Sequence, residues 1–231
     1  MPGTTRTGDD HAPKPRVFLG PTLSHYEARQ YLDADYHGPI TSEDLPKAIE
    51  ESIGVVGIID AIFITQYTAS PSQILQCLRS GIVVFGAASA GALRAVETDQ
   101  FGMRGVGQIY QLFKDKEEDE EELLVAYDPD TLVSYSIAMI NVRYALRQAT
   151  TRGVIDDITH DSLINVAKRM YFAHRTWGGI IEGCSDIAPV AKEPLLRFLE
   201  EEKDDLDLKR MDAIECLKEI NRFTQNLEAH G

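Results

Sequence analysis

The chain has 231 residues, 43% of them hydrophobic, enough for one large α/β domain or for such a domain with a helical extension. Its formal net charge of -14 argues against a nucleic-acid surface, which needs a basic stripe, and is compatible with a basic protein or peptide partner. Three widely spaced cysteines (Cys77, Cys184 and Cys216) form no CxxC pair and read as reduced thiols of a cytoplasmic protein. No apolar run approaches the ~20 residues of a membrane span, and the polar stretch Met1 to Asp10 has no secretory-signal core.

Residues 1–14 are polar, carry Pro and Gly, and are expected to be disordered. Arg16 to Gly20 reads as a short buried strand broken by Pro21. Ser24 and Glu27 have the spacing of a capping box for a helix from His25 to Leu32. His37-Gly38-Pro39 reads as a turn or link, and Ser42 to Leu45 opens a helix that ends near Gly54. Val55 to Ile64 is almost continuously apolar, as in a parallel strand covered on both faces. Asp60 interrupts it, so the carboxylate belongs at the carboxyl edge of the sheet, where open α/β sheets build their sites. Pro71 to Ser80 reads as the next helix.

Ile82-Val83-Val84-Phe85-Gly86-Ala87-Ala88-Ser89-Ala90-Gly91-Ala92-Leu93-Arg94-Ala95 follows, with the order of a buried strand, a tight turn and a helix. Three strand-then-helix units predict an α/β fold with a small parallel sheet. Phe101 to Gly107 reads as a glycine-punctuated loop, too poorly ordered for a dinucleotide motif. Seven of the eight residues from Asp115 to Glu122 are acidic, a pattern of solvated surface or mobile loop. From Pro129 the pattern is helical. Leu132, Ile137, Ile140 and Tyr144 fit one long helix carrying Asn141 and Arg143, and a second is expected from about Asp161 to Trp177. A third covers Pro194 to Leu199, and a charged, surface-docked fourth covers Asp207 to Leu227. The expected organisation is an α/β core over 15–128 with a helical half, 129–231, packed on it.

Small residues crowd Ser89 as a nucleophile elbow requires, although Ala87 stands where G-x-S-x-G has its first glycine. The backbone N–H groups of Ala90 and Gly91, at the helix start, are the candidate oxyanion donors. Such turns also arise from close packing alone. A serine nucleophile needs a base. The histidines are badly placed: His11 in the tail, His25 and His37 early, His160 and His174 in the helical half, His230 at the end. A lysine kept neutral by burial serves the same purpose. Lys168 is favoured because it adjoins an apolar helical stripe, whereas Lys209 and most others sit in charged surroundings. Tyr171 and Arg175 recur with Lys168 at i, i+3 and i+7, which puts them on one helix face, able to orient the lysine or bind a substrate tail. Asp60 and Arg94 are candidate supporting groups.

Gly20-Pro21-Thr22-Leu23, Gly57-Ile58-Ile59-Asp60, Phe85 to Ala95, Phe101 to Gly107, Asn141-Val142-Arg143, Lys168 to Phe172, Arg175-Thr176-Trp177 and, weakly, Lys209 to Ala213 together resemble the TfuA family. The resemblance implies a partner of YcaO enzymes in replacing a peptide backbone oxygen by sulfur. It implies hydrolysis of the thiocarboxylate end of a ThiS-type ubiquitin-like carrier, releasing sulfide beside YcaO, with the peptide engaged only indirectly. A serine–lysine pair is attributed to the family, matching Ser89 and Lys168 here, with no metal or cofactor expected. Two other readings compete: a non-catalytic adaptor recruiting peptide and carrier to YcaO, and a nucleotide-binding domain, which would lack a Walker lysine after the Ser89 turn.

Overall fold

The structure is a computed structural model that describes residues 13–62, 68–115 and 119–229. The expected tail lies outside the described residues apart from residues 13 and 14, as do residues 63 and 64 of the long apolar run, 116–118 of the acidic run, and His11 and His230.

Five parallel strands form one sheet in the order β2-β1-β3-β4-β5: β1 (Arg16–Phe18), β2 (Asp35–His37), β3 (Val55–Ile58), β4 (Val83–Ala87) and β5 (Arg104–Val106). The α/β class with a helical carboxyl-terminal half is therefore as the patterning predicts. β3 and β4 are wholly apolar because helices cover both faces. On one face, Phe18, Val56, Ile58 and Val84 pack on α2 (Asp44–Glu50), α3 (Pro71–Arg79) and α4 (Ala90–Thr98). On the other, Val17, Val55 and Phe85 meet α1 (His25–Ala28) and the last helix, α10 (Leu208–Glu228). The first connection runs from β1 outward to β2, and the next returns to place β3 on the opposite side of β1. The sheet therefore has its switch point at the carboxyl ends of β1 and β3, the crevice where such sheets bind ligands.

Several expectations change. His37 ends the edge strand β2 rather than forming a link, and Arg104–Val106 is the opposite edge strand, inside the segment read as a loop. Both are three residues long and polar or glycine-containing, so neither carries a hydrophobic pattern. Gly107 (φ +93°) then opens α5 (Gly107–Lys114). Leu132 is not helical: it sits in a left-handed turn (φ +58°) of an irregular segment that Tyr127 and Ser134 close by an antiparallel bridge.

α6 (Met139–Thr151), α7 (Asp157–Arg169), α8 (Trp177–Glu182) and α9 (Pro189–Glu201) share a second hydrophobic cluster. α7 stops at Arg169, eight residues short of the expected end, and α9 starts earlier than expected with Pro194 inside it. α10 is no surface attachment. Its Ala213, Cys216, Leu217 and Ile220 are buried against the sheet, completing the layer that α1 only begins.

Candidate active site

The turn after β4 is tight for reasons visible atom by atom. Ala88 takes a left-handed conformation (φ +64°), and the Ser89 N–H returns to the Ala87 carbonyl at 2.7 Å. A non-glycine residue held this way is strained, as nucleophile elbows are. Gly91 explains the small residues: a Cβ there would lie 1.8 Å from the Ile58 carbonyl oxygen, so α4 can rest on β3 only without one. Ser89 is the N-cap residue of α4, yet its side chain does not cap the helix. Its hydroxyl makes no hydrogen bond among the described residues.

That hydroxyl faces a cavity of about 280 Å³, lined by Pro21, Asp60, Ala61, Ile62, Leu123–Val125, Tyr127, Tyr171, Phe172 and, from α10, Lys209. Ser89 is 2% exposed and Asp60 equally so. The Asp60 carboxylate is held by three donors from the β1 loop: Gly20 N–H (2.9 Å) and Thr22 N–H (3.1 Å) on Oδ2, Thr22 hydroxyl (2.6 Å) on Oδ1. Donors of this kind satisfy a buried charge. Lys209 is 4% exposed, and its Nζ donates to the Leu123 carbonyl at 3.1 Å. Burial pulls the Lys209 ammonium below the ordinary lysine range, opposed by the charges of Asp60 and Asp207. The cavity therefore joins a free hydroxyl, an amine biased toward its neutral form and a fixed carboxylate.

This arrangement corrects the sequence reading in four places. Lys168 is exposed on α7 and does not line the Ser89 cavity. Tyr171 and Arg175 do not share a helix face with it, because α7 has ended before either. Tyr171 stands 62% exposed at the cavity wall, its ring tilted by 54° against Phe172 with ring centres 4.6 Å apart. Arg175 is buried and committed: its guanidinium donates to the Ala167 carbonyl (3.2 Å) and the Ile137 carbonyl (3.3 Å), so it ties α7 to the start of α6 rather than awaiting a ligand. Of the two expected oxyanion donors, Gly91 is already spent on the Ile59 carbonyl at 3.2 Å. Ala90, the first residue of α4, has no carbonyl to pair with inside the helix. Arg94 pairs with Glu97 one turn on and does not line the cavity.

Lys209 is the residue that the sequence reading passed over. Its neighbours Arg210 and Asp212 made the stretch look solvated, but Lys209, Ala213, Cys216 and Ile220 recur at i, i+4, i+7 and i+11. That spacing extends the buried stripe of α10 by one turn.

A family model described as TfuA-like protein matches residues 60–176, just over half of the chain. The chain belongs to the TfuA-like family. No curated protein matches it. Membership ties the chain to YcaO-dependent thioamidation. The span shared with TfuA-like proteins holds Asp60 and Ser89 but ends before Lys209. Among the described residues no helix is long and apolar enough to cross a membrane.

Proposed function

We propose that this TfuA-like chain hydrolyses the thiocarboxylate terminus of a ThiS-type sulfur carrier and releases sulfide for a YcaO enzyme, using Ser89 as nucleophile and Lys209 as base. The observation that carries the reading is the shared cavity: a serine at a strained turn, its hydroxyl unpartnered among the described residues, lines the same cavity as a buried lysine. A neutral Lys209 amine takes the Ser89 proton while one of its own N–H groups stays on the Leu123 carbonyl. The serine oxygen bonds to the thioacyl carbon, and the Ala90 N–H at the start of α4 receives the negative carbonyl oxygen.

The resulting ammonium returns the proton to sulfur, the carbon–sulfur bond breaks, and hydrosulfide leaves. Water then cleaves the serine ester with the lysine again as base, giving a carboxylate terminus. The sum is thiocarboxylate plus water to carboxylate plus hydrogen sulfide. The Asp60 charge supports the ammonium formed at each step. Largely apolar walls suit a polarisable, weakly hydrated sulfur better than a free carboxylate.

The test is sulfide release from thiocarboxylated carrier. Ser89→Ala is expected to lower it by about 10³-fold or more, since only oxyanion and binding terms survive. Release at the wild-type rate would instead leave a non-catalytic adaptor that brings carrier and peptide to YcaO.

A further inference from the structure

Asn141 and Arg143 belong to one short motif on α6 yet touch different partners, because residues two apart on a helix diverge by about 200°. Asn141 spans the first turn of α10. Its Oδ1 accepts the Lys209 backbone N–H at 3.1 Å, and its Nδ2 donates at 2.8 Å to Asp207 Oδ1, the same oxygen that caps the Arg210 N–H. Arg143 grips Glu122 with two parallel hydrogen bonds, Nε to Oε2 at 2.7 Å and Nη2 to Oε1 at 2.8 Å. The next residue is Leu123, fully buried, whose carbonyl receives the Lys209 Nζ. The end of the acidic run is thus pinned, and it supplies the acceptor for the lysine.

We infer that Asn141 and Arg143 are positioning residues for Lys209, one fixing its backbone and the other fixing, through Glu122, the carbonyl that holds its amine. The inference rests on the reading of Lys209 as the base for Ser89. A lysine side chain has four rotatable bonds, and as a base it must hold its lone pair toward the hydroxyl. The Leu123 carbonyl fixes one N–H, and Asn141 fixes where the stem starts. A half-buried, bidentate Arg–carboxylate pair is a geometric device more than a source of stability.

Among the described residues, the charged and titratable groups around Lys209 are Asp60 beyond β3, Asp207 at its own helix start, Glu122 with Arg143, and Tyr127 and Tyr171 across the cavity. Release of the 120–123 turn admits water to the amine and relieves its desolvation. The Lys209 pKa then rises.

The experiment is an NMR titration of the full chain carrying ¹³Cε-labelled lysine, with the Lys209 signal assigned by its loss in Lys209→Met. In Arg143→Met, Lys209 is expected to titrate about one pH unit higher or more than in the wild type. In parallel, kcat for sulfide release falls about tenfold or more while KM stays within about twofold. Glu122→Gln, which keeps one acceptor oxygen for the fork, is expected to lie between the two, and Asn141→Ala to follow Arg143→Met. If Arg143→Met does not fold, the other two variants decide the question.

A Lys209 titration that stays put or moves down in the folded variants overturns the inference, as does a wild-type Lys209 that titrates like a free lysine. A wild-type chain that releases no sulfide overturns the catalytic reading instead. The titrations still report whether the lysine is held.

Discussion

Two helices of the carboxyl-terminal half each bear a lysine near one end, and their fates are opposite. On α7 the lysine flanks an apolar stripe and is exposed; on α10 it sits between charged neighbours and is buried. A helical stripe fixes which side chains share a face, but what lies against that face is decided by the layer the helix joins. α7 packs on other helices, whereas α10 lies on the sheet with its first turn at the switch-point crevice. The comparison is broken or upheld by two substitutions. Lys209→Met is expected to reduce sulfide release by about 10² to 10⁴-fold, the usual weight of a general base, with Lys168→Met within about twofold of wild type. Equal losses at both positions would dissolve the distinction.

The next effect concerns the side of the cavity that the sheet builds. Gly91→Ala is expected to cost about 4 kcal/mol or more, because its Cβ would meet a backbone carbonyl that no rotamer change can move. Denaturant midpoints measure it, and a loss below about 1 kcal/mol would show that α4 can lift off β3.

These two sides differ in how far the sequence disclosed them. Asp60 and Ser89 were legible because each interrupts an apolar or small-residue run at a strand end, and in a parallel sheet such a position has one destination. The edge strands β2 and β5 were not, since three residues are too few for a pattern and their pairing is imposed by the neighbouring strand. Glu122 and Lys209 escaped for a related reason. A charge in a charged stretch reads as solvated even where, as at Lys209, it continues an apolar stripe, and the Arg143 fork and the Leu123 carbonyl arrive from segments remote in sequence. TfuA-like membership was carried by local motifs and needed no long-range contact.

A smaller contrast separates Tyr171 from Arg175, which the spacing placed together. Arg175→Ala removes donors from the Ala167 and Ile137 carbonyls and is expected to destabilise the chain by about 2 to 3 kcal/mol. Tyr171→Ala, at an exposed ring on the cavity wall, is expected to leave stability within about 0.5 kcal/mol and to raise the carrier KM a few-fold. Melting and steady-state sulfide assays on the pair separate the two roles. A stability loss at Tyr171 as large as that at Arg175 would put both in the scaffold.

The least conspicuous effect lies on α10 itself, three residues beyond Lys209. Asp212 accepts the Gln108 and Ile109 N–H groups at 2.9 and 2.7 Å, docking α10 on the start of α5 where Gly107 leaves room for the carboxylate. Burial outweighs these two hydrogen bonds and raises the Asp212 pKa to about 6. A carboxylate raised in the native state above its unfolded value of about 3.9 favours folding most where both forms are protonated, and loses that contribution as pH climbs through about 6.

The linkage reaches about 3 kcal/mol at most between those limits, and part of it falls between pH 5 and 7. Denaturant midpoints for wild type and Asp212→Asn at pH 5, 6 and 7 isolate it, because every other titrating group is common to both. The wild type should lose stability relative to the variant as pH rises. Parallel curves would mean that the two amide donors hold the charge without penalty.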